Sequence, residues 1–167
     1  MSAHVYWVKG PWPGKLGLAA RPRGGDWLAR DLADWRSADI SSVVSLLTPE
    51  ENQELGLGEE GSGTKEQGMT FRRFPIPDLA VPASEAKLVR LLEDVDHDLS
   101  NGRNVLIHCR QGIGRTGLVA ISLLVTKGMS PGAAVDVVSA ARGLPVPETD
   151  EQRRWIDRFA ATLAGTK

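Results

Sequence analysis

The stretch Val105-Leu-Ile-His-Cys-Arg-Gln-Gly-Ile-Gly-Arg-Thr-Gly117 holds the residues best suited to chemistry. An apolar run delivers Cys109, a short loop carries Gly112 and Gly114, and an apolar helical pattern begins at Thr116. Glycines placed there let the backbone N–H groups of Arg110, Gln111, Gly112, Ile113 and Gly114 turn toward one centre, forming an anion nest. The helix that follows adds unpaired N–H donors and the positive end of its dipole. A phosphate fits such a cradle. The same field acts on the thiol, because helix N-termini and nearby cations lower a cysteine pKa from about 8.5 to about 3.5–7.5. Cys109 is therefore expected to attack phosphorus as a thiolate. Arg115, separated from Cys109 by five residues, can fold back across the loop. Its planar fork matches two phosphate oxygens and suits the equatorial charge of a transferring phosphoryl group, a geometry that lysine lacks. Thr116 offers a hydroxyl close to the sulfur, suited to steadying thiolate as it leaves a covalent intermediate. His108 can fix the loop through its ring. A lone cysteine after a buried strand is ordinarily a small core hydrophobe; the loop and Arg115 together favour the reactive reading.

These residues need a strand, a turn and a helix in register, and the surrounding pattern supplies them. Val105-Leu-Ile107 is a short apolar run bounded by turn signals, as expected of a central strand covered on both faces. Thr116 to Lys127 is apolar almost all round and predicts a buried helix. Further strands are expected at Lys15–Ala20, Val43–Leu47 and Thr70–Ile76. Asp26 is expected to cap a helix carrying Leu28, Leu32 and Trp35 on one face. Thr48-Pro-Glu-Glu51 has the form of a capping box with proline at the first helical position. Gly56–Gly68 reads as a surface loop or frayed helix end. Ser84 caps a helix with the stripe Leu88, Leu91, Leu92, Val95 and Leu99, ended by Asn101-Gly102. Ser130-Pro131 starts a helix that ends at Gly143, and Thr149 to Gln152 starts a last one. The expected fold is a single α/β domain over residues 1–167, with residues 1–12 as an irregular N-terminal segment. Its sheet is four- or five-stranded, mainly parallel and twisted, with helices on both sides.

Composition narrows the partners. The chain has 167 residues, 41% hydrophobic and 25% charged, with a formal net charge of -1, so nothing in the balance points to nucleic acid or an anionic membrane. No apolar run reaches the length of a membrane span, and the N-terminus lacks the form of a secretory signal. A single cysteine forbids an intramolecular disulfide, which makes a reducing cytoplasm the expected location.

The pattern His-Cys, five residues, Arg-Thr resembles that of the protein tyrosine and dual-specificity phosphatase superfamily, and it stands complete as His108 to Thr116. The resemblance covers most of the chain from about Pro13 onward. Pro75-Ile-Pro-Asp78 resembles the general-acid loop of compact members, especially the kinase-associated (cyclin-dependent kinase inhibitor 3-like) branch. Arg21–Leu28, Val43–Glu51 and Gly143–Trp155 are similar to bacterial members of that group. The resemblance implies that Asp78 protonates the leaving oxygen and then activates the water that hydrolyses phospho-Cys109. It implies no metal or cofactor, because the cradle and Arg115 stabilise the charge. The family often carries a glutamine-threonine pair ahead of its last helix to position that water. Here Glu148-Thr149 stands in its place, so the task falls to Gln152, or Gln152 only completes the helix cap. The implied substrate is a phosphorylated protein or small phosphomonoester, with phosphate or sulfate binding in the loop. An inositol phosphate or phospholipid is disfavoured by the lack of lysine between Cys109 and Arg115. A catalytically silent phosphate-binding module and sulfur or arsenate chemistry on a similar thiolate are the rival readings.

Overall fold

The computed structural model describes residues 4–165. Its centre is β5 (Val105–Cys109), buried at every position. The first two strands are β1 (Tyr6–Val8) and β2 (Leu16–Ala20), and β3 (Ser42–Ser45) and β4 (Thr70–Arg73) lie on the other side of β5. The sheet order is β1-β2-β5-β3-β4. All pairs are parallel except β1 with β2, so of the four- or five-stranded, mainly parallel sheets expected, the five-stranded one forms.

Side chains alternate across a strand, and β5 uses both faces. Val105, Ile107 and Cys109 enter one core with α4 (Glu85–Ser100), α5 (Gly114–Thr126), α6 (Pro131–Arg142) and α7 (Asp150–Gly165). Leu106 enters the opposite core with Leu28, Leu32 and Trp35 of α1 (Leu28–Ser37). His108 is in phase with Leu106, and its ring lies 5.7 Å from that of Trp35. α5 is covered all round, as its composition predicts. Among the described residues, no helix is long and apolar enough to cross a membrane.

Three local expectations are corrected. Of the expected irregular segment 1–12, residues 1–3 lie outside the described residues; in the remainder β1 pairs antiparallel with β2, and Trp12 Nε1 donates to Asp96 Oδ1 at 2.8 Å. A three-residue edge strand is too short to leave a clear period-two pattern. Asp26 does not cap α1, because a 3-10 turn at Gly25–Trp27 precedes the helix and Trp27 stands at the cap without a side-chain bond. The carboxylate that organises this corner is buried Asp31, paired with Arg23 at 2.7 Å. Burial opposes its charge, but the bonds from Arg23 outweigh that and lower its pKa. Within Gly56–Gly68 lies α3 (Glu60–Glu66), following α2 (Pro49–Glu54). Its glycines depress helix propensity yet permit close packing. A Cβ on Gly63 would meet Leu32 Cδ1 at 2.8 Å, and one on Gly61 would meet Phe71 at 3.2 Å.

Candidate active site

β5 ends at Cys109, and the chain turns through Arg110–Ile113 into α5. The turn closes on the sulfur: the N–H of Gly112 donates to Cys109 Sγ at 3.3 Å. Gly112 has φ +72, and a Cβ there would lie 2.5 Å from the carbonyl oxygen of Ala19. Only glycine meets both demands. The loop carbonyls face away from the nest. Arg142 of α6 takes two of them, with Nε donating to Gly112 O at 3.0 Å and Nη2 to Gln111 O at 3.1 Å. Its guanidinium also lies 4.1 Å from the centre of the Tyr6 ring. The Arg21 N–H donates to Arg110 O at 3.3 Å.

Arg115 is 2% exposed and faces the loop from the first turn of α5. Glu51 of α2 holds its fork, accepting from Nη1 at 2.6 Å and from Nη2 at 3.0 Å. Nη1 also donates to Ile76 O at 2.8 Å, and Nη2 lies 3.2 Å from Asp78 Oδ1. Glu51 forms the expected capping box with Thr48, but its carboxylate does this second task as well. Burial pushes its pKa up; the bonds from Arg115, the Thr48 N–H and Arg110 outweigh burial and bring it down to about 2. Burial likewise opposes the charge on Arg115, yet Glu51 and the nearby Cys109 and Asp78 hold its pKa above the ordinary value. The Arg110 side chain turns to Glu51 at 3.2 Å and Glu54 at 3.4 Å.

Asp78 sits half-exposed in a tight turn closed by the Ala80 N–H on Pro77 O at 3.0 Å. Leu79 within that turn has φ +63, a region that side chains other than glycine's rarely occupy. Two anchors hold the turn: Arg115 at Ile76 O, and Gln152 Nε2, which donates to Ala80 O at 3.0 Å. Gln152 Oε1 meanwhile accepts the N–H groups of Glu148 and Thr149 at 3.1 and 3.2 Å. Gln152 is thus fully buried and committed to cap and loop, while Glu148 lines the site.

The structure brings Cys109, Arg110, Gln111, Arg115 and Asp78 together around a cavity of about 60 Å³, with Leu79 and Glu148 completing its wall. Gly112, Ile113 and Gly114 form the turn beneath. Thr116 Oγ1 is buried with no hydrogen-bond partner among the described residues. His108 is fully buried, its Nε2 2.6 Å from Glu60 Oε2 and its Nδ1 3.4 Å from Cys109 O. Sequence reasoning missed Glu60 because it fell in an expected loop, and Arg142 because nothing local marks it. Glu51 was legible only as a cap. Among the described residues there is no cluster of three metal-ligating side chains.

Comparison with known proteins bears on family and fold. Residues 18–129 match a family model described as "Polymorphic toxin system, DSP-PTPase phosphatase". Cyclin-dependent kinase inhibitor 3 of Sus scrofa is 29% identical over 139 residues; the match covers 82% of the chain but only 65% of that protein. The Arabidopsis thaliana phosphatidylinositol 3,4,5-trisphosphate 3-phosphatase and protein-tyrosine-phosphatase PTEN1 is 34% identical over 149 residues, 84% of the chain and 32% of that protein. The same fold occurs in the crystal structure of a kinase associated phosphatase whose catalytic-site cysteine is replaced by serine. It superposes with a TM-score of 0.86 at 24% identity, covering 98% of this chain and 97% of that one.

Proposed function

The chain belongs to the dual-specificity/tyrosine phosphatase superfamily, and from that premise we propose that it hydrolyses phosphomonoesters through a covalent phospho-Cys109 intermediate. The observation that carries the proposal is a buried sulfur capped by a loop N–H, with a charged guanidinium held beside it by Glu51. The thiolate attacks phosphorus in line, forming the S–P bond as the ester P–O bond breaks. Asp78, on the cavity wall, gives its proton to the departing oxygen. In the second step Asp78 as carboxylate takes a proton from water, that water attacks phosphorus, the S–P bond breaks, and phosphate leaves. Arg115 and the nest hold the equatorial charge in both transition states. Thr116 Oγ1, having no other partner, is the group we assign to the sulfur as it leaves. No metal or cofactor enters this scheme.

The substrate class we favour is a protein phosphotyrosine, with phosphoserine or phosphothreonine also accepted. The rim cations are already engaged, Arg110 by Glu51 and Glu54 and Arg142 by loop carbonyls, while Asp78 and Glu148 add negative charge. Among the described residues, the cavity lining offers a multiply phosphorylated inositol no cation without a carboxylate partner. We place the activity in a reducing compartment such as the cytoplasm, where a lone reactive thiol survives. Rapid acid quench during turnover of p-nitrophenyl phosphate, followed by mass spectrometry, tests the proposal. One phosphoryl group on the peptide containing Cys109 is expected, and burst turnover with an unmodified Cys109 would exclude the mechanism.

Two further outcomes follow from the geometry. Asp78→Asn lowers kcat by about 10²-fold or more for alkyl phosphates and much less for p-nitrophenyl phosphate, whose leaving group needs little protonation. An equal loss across leaving groups would remove Asp78 as the acid. Arg142→Ala frees two loop carbonyls and weakens the nest, so the inhibition constant for tungstate rises by about tenfold. Unchanged tungstate inhibition would show that the loop holds its shape without that brace.

A further inference from the structure

A groove of about 770 Å³ runs between the end of β4 and the first half of α4. β4 is the edge of the sheet, so nothing else in the order covers that side. Phe74, Pro75 and Leu91 give the groove an apolar floor. Four cations, Arg72, Arg73, Lys87 and Arg90, stand around it against one lining carboxylate, Asp94. Arg72 is neutralised by Asp98 at 2.9 Å and Asp94 at 4.0 Å. The Arg73 guanidinium lies 5.0 Å from the Phe71 ring centre, and among the described residues Arg73, Lys87 and Arg90 form no ion pair. Lys87 and Arg90 are three apart on α4 and so share one helix face. Three uncompensated positive charges therefore bracket an apolar trough, on a chain whose net charge is -1.

This trough adjoins the active site directly. Phe74 and Pro75 lead into Ile76, whose carbonyl holds Arg115, and on to Asp78. Four residues of extended chain span at most about 14 Å, so the trough opens within that distance of the general acid. We propose that the groove docks an acidic segment of the phosphoprotein substrate, with its carboxylates about four to six residues from the phosphorylated position. The proposal rests on the catalytic reading above and names the substrate that reading left open. Concavity favours a peptide over a bilayer, because a flat membrane surface cannot enter a trough between two walls. The large exposed apolar side chains, Trp7, Trp27 and Leu79, also lie outside it.

Phosphotyrosine peptides test the idea, with an Asp/Glu cluster placed on either side of the phosphorylated residue and matched Ser/Asn peptides as controls. At low salt, the better-placed acidic peptide is expected to show a kcat/KM about tenfold above its control. The advantage disappears in Lys87→Glu/Arg90→Glu and shrinks at high salt, while p-nitrophenyl phosphate turnover stays unchanged. Both side chains are exposed and free of ion pairs, and the neutral pair Lys87→Gln/Arg90→Gln, checked by melting temperature, guards against a folding defect. Fluorescence anisotropy of the non-phosphorylated acidic peptide reads the groove without turnover, so it still decides the matter if catalysis is absent. Equal kcat/KM for acidic and control peptides would overturn the proposal. So would an advantage that survives charge reversal. Binding to phosphatidylserine vesicles but not to peptide would assign the groove to a membrane instead.

Discussion

Cys109→Ser lowers turnover of p-nitrophenyl phosphate by roughly four to six orders of magnitude, the scale on which removing a nucleophile acts when the rest of the site is intact. Serine differs from cysteine by one atom, but its hydroxyl is far from ionised at neutral pH and is a poor leaving group in the second step. The loop has supports besides the Gly112 N–H bond to sulfur, because Gly112 is set by its left-handed backbone and its contact with Ala19, and Arg142 braces it from outside. Tungstate or phosphate binding, measured by the rise in melting temperature with anion concentration, should therefore stay within a few-fold of the parent. Substantial turnover in the serine variant would assign the nucleophile elsewhere. Loss of both turnover and anion binding would mean that the sulfur shapes the cradle instead of reacting in it.

The second large effect concerns the Arg115–Glu51 pair. Arg115→Lys keeps a charge and loses the fork, so kcat falls by about 10³-fold or more although the site remains cationic. Glu51→Gln leaves the buried guanidinium with the half-exposed Asp78 as its remaining carboxylate, a change expected to cost about 3 kcal/mol of stability. The pH dependence has a fixed sign. Glu51 has a folded pKa of about 2, below the unfolded glutamate value of about 4.3. Its contribution, about 3 kcal/mol, is present in full above that unfolded value and is lost as pH falls toward 2. Urea unfolding at several pH values is the measurement. The stability gap between parent and Glu51→Gln should narrow across pH 4.3 to about 2; parallel curves would show that the pair is not the acid-sensitive element.

What could be read from the chain alone followed the range of the interactions. The strand, loop and helix around Cys109 were legible because each rests on local signals: an apolar run, two glycines and a helical apolar pattern in direct succession. The capping boxes at Thr48 and Thr149 were legible for the same reason. The partners of the site were not. Glu51 reaches Arg115 across 64 residues, Glu60 reaches His108 across 48, and Arg142 reaches the loop across 30. No periodicity encodes such meetings; the sheet order creates them. α3 was hidden for a different reason, since its glycines reduce propensity while allowing the packing that makes it helical. The Thr116 hydroxyl shows the limit of local reasoning from the other side. Its burial without a hydrogen-bond partner among the described residues is set by tertiary packing that no local pattern announces.

The turn holding Asp78 is fastened at both ends, at Ile76 by Arg115 and at Ala80 by Gln152. Only Pro77, Asp78 and Leu79 lie between the two fastenings, and a proline and a left-handed leucine stiffen that span. A flap that swings over bound substrate on the microsecond-to-millisecond scale needs a longer free arm. Here Asp78 has room only to pivot. In the proposed cycle, departure of the dephosphorylated product would therefore wait on no swing of this loop.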